Sequence, residues 1–224
     1  MINEKDIKAA REQNDFDFGN EVLYKMCKKS PSHEDSGHII GKVWLIGRSY
    51  AADIGRGREK GTINDDFYLG EVPKLFKEHY KDIDSDISRL QDFDINFENL
   101  EKTLTIHKKL TDATKKVNKN REQRSFSSKY LHFHAPNAFF ILDSRVKGAL
   151  NKEIEERKLR RECRTEIKKF RNLKCDTEYS EFSVKCLVLR ESLNKEFGVN
   201  LTPRQLDNLL IGKANLSVRA SIVP

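Results

Sequence analysis

A chain of 224 residues, 37% hydrophobic and 34% charged, with thirteen Phe, six Tyr and one Trp, has enough large apolar surface for one compact domain or a domain with a small satellite lobe. It has too little Gly and Pro for a linker-rich or fibrous chain. No apolar run is long enough to cross a bilayer, and the charged start Met1-Ile-Asn-Glu-Lys-Asp6 does not read as a secretory leader, so a cytoplasmic protein is expected.

The net charge of +7 divides unevenly: residues 1–101 carry 15 basic and 21 acidic groups, residues 102–224 carry 27 and 14. A basic second half points to a polyanion as partner. Apolar residues recur at helical spacing and alternation is almost absent, which predicts an all-α fold. The stretch 39–54, with Trp44 near its centre, predicts a buried central helix, and Gly55-Arg-Gly-Arg-Glu-Lys-Gly61 a flexible basic loop. A short helix is expected between Asp82 and Asp94. Leu100, Leu104, Leu110, Ala113 and Val117 line one side of a helix over 96–117, leaving Lys102, Lys108, Lys109, Lys115 and Lys116 on its polar face. A helix over 144–173 is apolar at its start and then charged nearly all round, with ten basic and five acidic residues between Lys152 and Lys174. Phe182, Cys186, Leu189, Leu193 and Phe197 form one stripe closed by Gly198. Thr202 and Pro203 then open a last helix that Gly212 is expected to end. The four cysteines match no metal or redox spacing and read as reduced, mostly buried thiols.

The chemistry concentrates between Arg124 and Val146. Ser127 and Ser128 are N-cap candidates, which would place Lys129 in the first turn of a helix, where the positive helix end disfavours an ammonium. Pro136 and an extended apolar run lead to Asp143, which opens the next helix. His132 and His134 are two apart and face different ways on a helix, without a third ligand. One reads as a core or cap residue, the other as a phosphate or sugar contact, and no metal site is expected. Arg145 would bind a phosphate or pair with Asp143. Trp44 and Arg48, at i and i+4, form with Tyr50, Arg56 and Arg58 a candidate patch for an extrahelical base. Burial of the Trp44 ring in the core is the stronger expectation.

The order Arg124-Ser-Phe-Ser-Ser-Lys129, then Phe139-Phe-Ile-Leu-Asp-Ser-Arg145, resembles the helix-hairpin-helix DNA glycosylase superfamily, in particular its 8-oxoguanine glycosylase branch. The resemblance covers about residues 100–150, with Lys129 at the position of the family's lysine and Asp143 at that of its aspartate. The family's glycine-flanked hairpin is replaced by Arg124-Ser-Phe-Ser-Ser128. The resemblance implies two helical lobes with a cleft, an acidic one over 1–101 holding the base pocket and a basic one over 102–224. It further implies an enzyme that excises an oxidised or otherwise modified base, with 8-oxoguanine the default, and cleaves the abasic strand through a Schiff base on Lys129, without metal or cofactor; the oligomeric state is left open, with a monomer favoured. Double-stranded DNA with a flipped nucleotide would be the partner, held by Arg124, Ser125, Ser127, Ser128, His132, His134, Arg145 and the lysines 108, 109, 115 and 116. Host repair and attack on modified phage DNA both fit this chemistry. A binding or interaction module that keeps the fold without the reaction is the alternative.

Overall fold

The computed structural model describes every residue except 13, 14, 58–60, 62, 64, 65, 223 and 224. The described residues form ten α-helices and no strand: α1 (Glu4–Arg11), α2 (Asp15–Lys29), α3 (Ser36–Ser49), α4 (Val72–Ser88), α5 (Leu100–Lys115), α6 (Arg124–His134), α7 (Ser144–Glu156), α8 (Arg160–Lys169), α9 (Thr177–Phe197) and α10 (Pro203–Ile222). A 3-10 turn at Ile54–Gly57 and a π turn at Asp66–Glu71 lie between α3 and α4. Among the described residues no helix is long and apolar enough to cross a membrane, and no group of three or more His, Cys, Asp or Glu is placed to hold a metal ion. All four cysteines are free, and Cys27, Cys163 and Cys186 are buried.

Side-chain caps start several helices. Asn3 and Asp6 form a capping box on α1, and Asp35, Asp143 and Asp176 accept backbone N–H groups at the starts of α3, α7 and α9. Thr202 and Gln205 exchange side-chain to backbone bonds at the start of α10. Each such cap stabilises its helix by about 1 kcal/mol. Helix α9 packs on α7 and α8; Tyr179, Phe182, Val184, Cys186, Leu187 and Leu193 bury more than one of its faces, and Gly198 ends it with φ +65°. Helix α10 packs on both α1 and α7, and the buried apolar side chains form one cluster from Ile2 to Leu210 that draws on both halves of the chain.

Four sequence expectations change. Trp44 is 47% exposed, because the buried stripe of α3 is Ile39, Val43, Ile46 and Gly47 and Trp44 falls out of phase with it. Lys42 is buried in its stead, its ammonium donating to the Ser30 carbonyl at 2.7 Å. The short helix placed at 82–94 is the last part of α4, which begins ten residues earlier than Asp82, at Val72. The long helix placed at 144–173 breaks between α7 and α8, where Lys158 adopts φ +59° and the Leu159 amide donates to the Ile154 carbonyl. That reversal lets Leu159 and then Cys163 return to the core. Gly212 does not end the last helix, since α10 runs on to Ile222.

Helix α6 is buried along its length after Ser125. Its Tyr130 hydroxyl donates to His33 Nε2 at 2.7 Å, and His33 Nδ1 donates to Asp84, so α6 is tied to α4 and to the loop before α3. Burial holds His107 and His132 at about 4 and His134 well below its usual value. Unfolding frees them to take up protons near pH 6.5, so stability is complete above that pH and falls as the pH drops from about 6.5 to about 4, by on the order of 3 kcal/mol each for His107 and His132. Urea midpoints at a series of pH values check this. A midpoint flat between pH 7 and pH 4.5 would contradict it.

Candidate active site

Lys129 and Asp143, fourteen residues apart, meet at 3.3 Å between Nζ and Oδ2. The lysine side chain is 2% exposed and the carboxylate 27%, so Asp143 forms the open end of the pair. The ammonium also donates to Ser125 Oγ at 3.0 Å and to the Tyr50 carbonyl at 3.2 Å, and it lies 5.8 Å from the centre of the Tyr50 ring. Ala51, with φ +50°, turns the chain immediately after that carbonyl. Asp143 Oδ1 meanwhile caps α7 through the Arg145 amide at 3.0 Å, and the exposed Arg145 guanidinium approaches the same oxygen at 3.9 Å.

Desolvation lowers the Lys129 pKa, and the charge of Asp143 only partly restores it. Desolvation also pushes the Asp143 carboxyl upward, but Lys129 and the Arg145 amide outweigh it and hold the group below the usual carboxylate range. The result is an amine easier to deprotonate than a surface lysine beside a carboxylate that stays charged.

The cause differs from the one the sequence implied. Helix α6 begins at Arg124 and Lys129 is its sixth residue, so burial lowers the amine and the helix end does not. Ser127 and Ser128 are not caps. Both are buried, and the Ser128 hydroxyl donates to the Ser125 carbonyl and accepts the Leu142 amide at 3.0 Å, pinning the extended run before Asp143. Arg124-Ser-Phe-Ser-Ser128 is therefore helical. The turn between α5 and α6 lies upstream, where Lys119 and Asn120 take left-handed φ values of +46° and +59°. Asn120 is a residue type that tolerates that region, whereas Lys119 adopts it against the usual preference of a side chain.

The other assigned residues scatter. His132 and His134 are buried, out of reach of a phosphate. His132 donates from Nδ1 to the Phe139 carbonyl at 2.8 Å and accepts the Tyr24 hydroxyl at 2.7 Å. Arg124 is engaged by Glu122, Asp176 and Glu178. Of the α5 lysines, Lys108 pairs with Asp112, Lys109 with Asp86 at 2.7 Å, and Lys115 with Asp112 and Glu122, while Lys116 lies 2.9 Å from His79. The Arg48 guanidinium sits 5.5 Å from the Trp44 ring on the outer side of α3, whereas Tyr50 reaches Lys129. Nothing is described of the Arg56 side chain, and Arg58 lies outside the described residues. Because Trp44 is half exposed, Trp44→Ala should cost about 1 kcal/mol or less, read as a urea midpoint. A loss of 3 kcal/mol or more, the range of a core Trp, would contradict the placement.

Comparison with protein-family models, with curated proteins and with solved structures gave no match. The site must be read from its own residues, and the structure adds several that the sequence did not flag. Asn20 accepts the Tyr50 hydroxyl through Oδ1, and its buried Nδ2 has no partner among the described residues. Asp207 on α10 is 4% exposed and takes Arg204 on Oδ2 at 2.7 Å, while Oδ1 has no partner among the described residues. Arg204 also reaches Asp17 at 3.2 Å. Burial raises the Asp207 carboxyl to about 6, against Arg204 and Lys129, and Asp143 adds to the rise. The one available sequence signal was the i, i+3 pair Arg204 and Asp207 beside an apolar stripe. Only the fold brings it to Lys129.

Proposed function

We propose that the chain is a DNA glycosylase with abasic-site lyase activity, built on a helix-hairpin-helix of α5, the turn at 116–123 and α6. The observation that carries this reading is the buried Lys129 amine held against the partly exposed Asp143 carboxylate at the start of a helix. A buried lysine is costly to keep, and one whose pKa is lowered beside a charged carboxylate is suited to nucleophilic attack.

In this reading a damaged nucleotide leaves the duplex and enters from the Asp143 side. The neutral amine forms a bond to C1′ as the bond from C1′ to the base nitrogen breaks, and the electron pair leaves with the base, which then takes a proton. Loss of an amine proton and opening of the sugar ring give an imine. Removal of a C2′ proton then expels the 3′ phosphate by β-elimination. Asp143 offsets the positive charge that develops on the sugar. Asp207 Oδ1 and, behind the Tyr50 ring, Asn20 Nδ2 are buried groups without a partner among the described residues, an acceptor and a donor that a base edge could engage if the site opens to admit it. The exposed Lys119, Asn120 and Arg121 of the turn are placed to meet backbone phosphates, the role that the buried Ser127 and Ser128 do not fill.

A panel of duplexes, each with one modified base, tests the reading by base release and strand cleavage. Release from one of them with cleavage on its 3′ side supports it, and no release from any contradicts it. The rival, a binding module, draws on the three hydrogen bonds that Lys129 already donates. It predicts duplex binding without release.

The wall of the site makes a separate prediction. Asp207 and Asp143 both favour the charged form of Lys129, so Asp207→Asn makes the amine easier to deprotonate. The acidic limb of the pH dependence of base release should move to lower pH, because the reactive amine persists further down. An unmoved limb, or one moved upward, would contradict the coupling.

A further inference from the structure

The chain carries two basic segments, and the structure treats them oppositely. On α5, Lys108, Lys109 and Lys115 are each paired with a carboxylate of α4, of α5 itself or of the following turn, and Lys102 is the exposed lysine of that helix without an ion pair among the described residues. At the junction of α7 and α8 the cations are left over. A groove of about 680 Å³ there is lined by Lys158, Arg160, Arg161, Arg164 and Lys168, with Glu155 as its one carboxylate. Glu155 pairs with Arg160 at 2.8 Å. Lys158, Arg161, Arg164 and Lys168 are all exposed and make no ion pair among the described residues.

We propose that this groove is a second nucleic-acid surface, which grips the phosphates of a duplex away from the Lys129 site. Three observations favour a duplex backbone over other polyanions. Arg160, Arg164 and Lys168 recur every four residues and so form a slanted stripe of about 12 Å along one side of α8, and the buried Cys163 anchors the helix. No aromatic side chain lines the groove, and single-strand binding relies on such stacking platforms. The neighbouring groove of about 860 Å³, between α8 and α9, carries four carboxylates against three cations, Arg161 being shared between the two grooves, so it lacks the cationic excess of the first. Asp143 begins α7 and Lys158 follows its end, which separates the site and the groove by about 20 Å of helix. A duplex engaged at Asp143 could meet the groove through its flank, yet the groove's binding does not depend on the chemistry proposed for Lys129.

The test is the salt dependence of binding of an unmodified duplex of about 30 base pairs, read by fluorescence anisotropy. Each phosphate contact contributes about 0.9 to the slope of log K against log salt, so Arg161→Ala, Arg164→Ala and Lys168→Ala combined should lower the slope by about 2.7. Wild-type affinity should then lose about 40-fold more than the triple variant between roughly 50 and 200 mM salt. The side chains are exposed, so the triple variant should keep the wild-type melting temperature. The matching α5 variant, Lys108→Ala, Lys109→Ala and Lys115→Ala, should change the slope little. Equal slopes for wild type and the α8 variant would overturn the proposal, as would the α5 variant alone lowering it. Absence of duplex binding at low salt would also overturn it. Borohydride trapping on a duplex too short to reach α8 reports on Lys129 separately, so failure of one proposal leaves the other readable.

Discussion

Lys129→Gln is expected to lower base release by about three powers of ten or more, the loss seen when a covalent nucleophile is removed, while the fold survives. The amide keeps one donor for Ser125 or Tyr50, and Asp143 keeps the Arg145 amide and guanidinium, so no buried charge is left stranded. The variant also relieves the desolvation of the ammonium. A stability loss of no more than about 2 kcal/mol follows, and duplex affinity should stay near wild type because a side chain 2% exposed anchors no phosphate. If Lys129 were a structural lysine, the pattern would invert, with a large loss of stability and base release falling only in step with the folded fraction. Melting curves and single-turnover release on the same preparations separate the two.

Asp143→Asn is the second large effect. Asn caps a helix nearly as well as Asp, so α7 should keep its start and the melting temperature should move little. The charge opposite Lys129 is gone, however, and release should slow by about two to four powers of ten. The amine loses a partner that favours its charged form, so it deprotonates more readily. A slower reaction with a more available nucleophile would assign Asp143 to charge on the sugar rather than to activation of the lysine. Asp143→Ala provides the comparison, since it removes the cap as well and should cost about 1 kcal/mol beyond the Asn variant. Equal rates for wild type and Asp143→Asn would leave the carboxylate with the cap alone.

What the sequence revealed followed what is local. The stripe from Phe182 to Phe197 with Gly198 behind it, the Pro203 start of α10 and the Asp143 cap rest on spacing and on short-range hydrogen bonds, and all three stand in the structure. Lys129 and Asp143 were marked as a pair by order along the chain, and they meet at 3.3 Å. What was missed depends on tertiary packing. The phase of α3 that exposes Trp44 is set by which neighbours cover Ile39, Val43 and Ile46. The lysines of α5 look like a free basic face until α4 brings Asp86 to Lys109. The break at Lys158 carries neither Gly nor Pro, and it forms because Leu159 and Cys163 reach the core only after a reversal. Asn20, which meets the Tyr50 hydroxyl, and Asp207, whose charge acts on Lys129, are separated by nearly the whole chain, so no spacing rule could bring both to this region.

The central claim is a covalent bond between Lys129 and the sugar of a modified nucleotide. The protein mixed with a substrate duplex and sodium borohydride should yield a reduced adduct, because an imine is reducible and a noncovalent complex is not. Peptide mapping should place the nucleotide on Lys129, and Lys129→Gln should give no adduct. An adduct that persists in Lys129→Gln and maps to another amine, or base release without any adduct, would contradict the account.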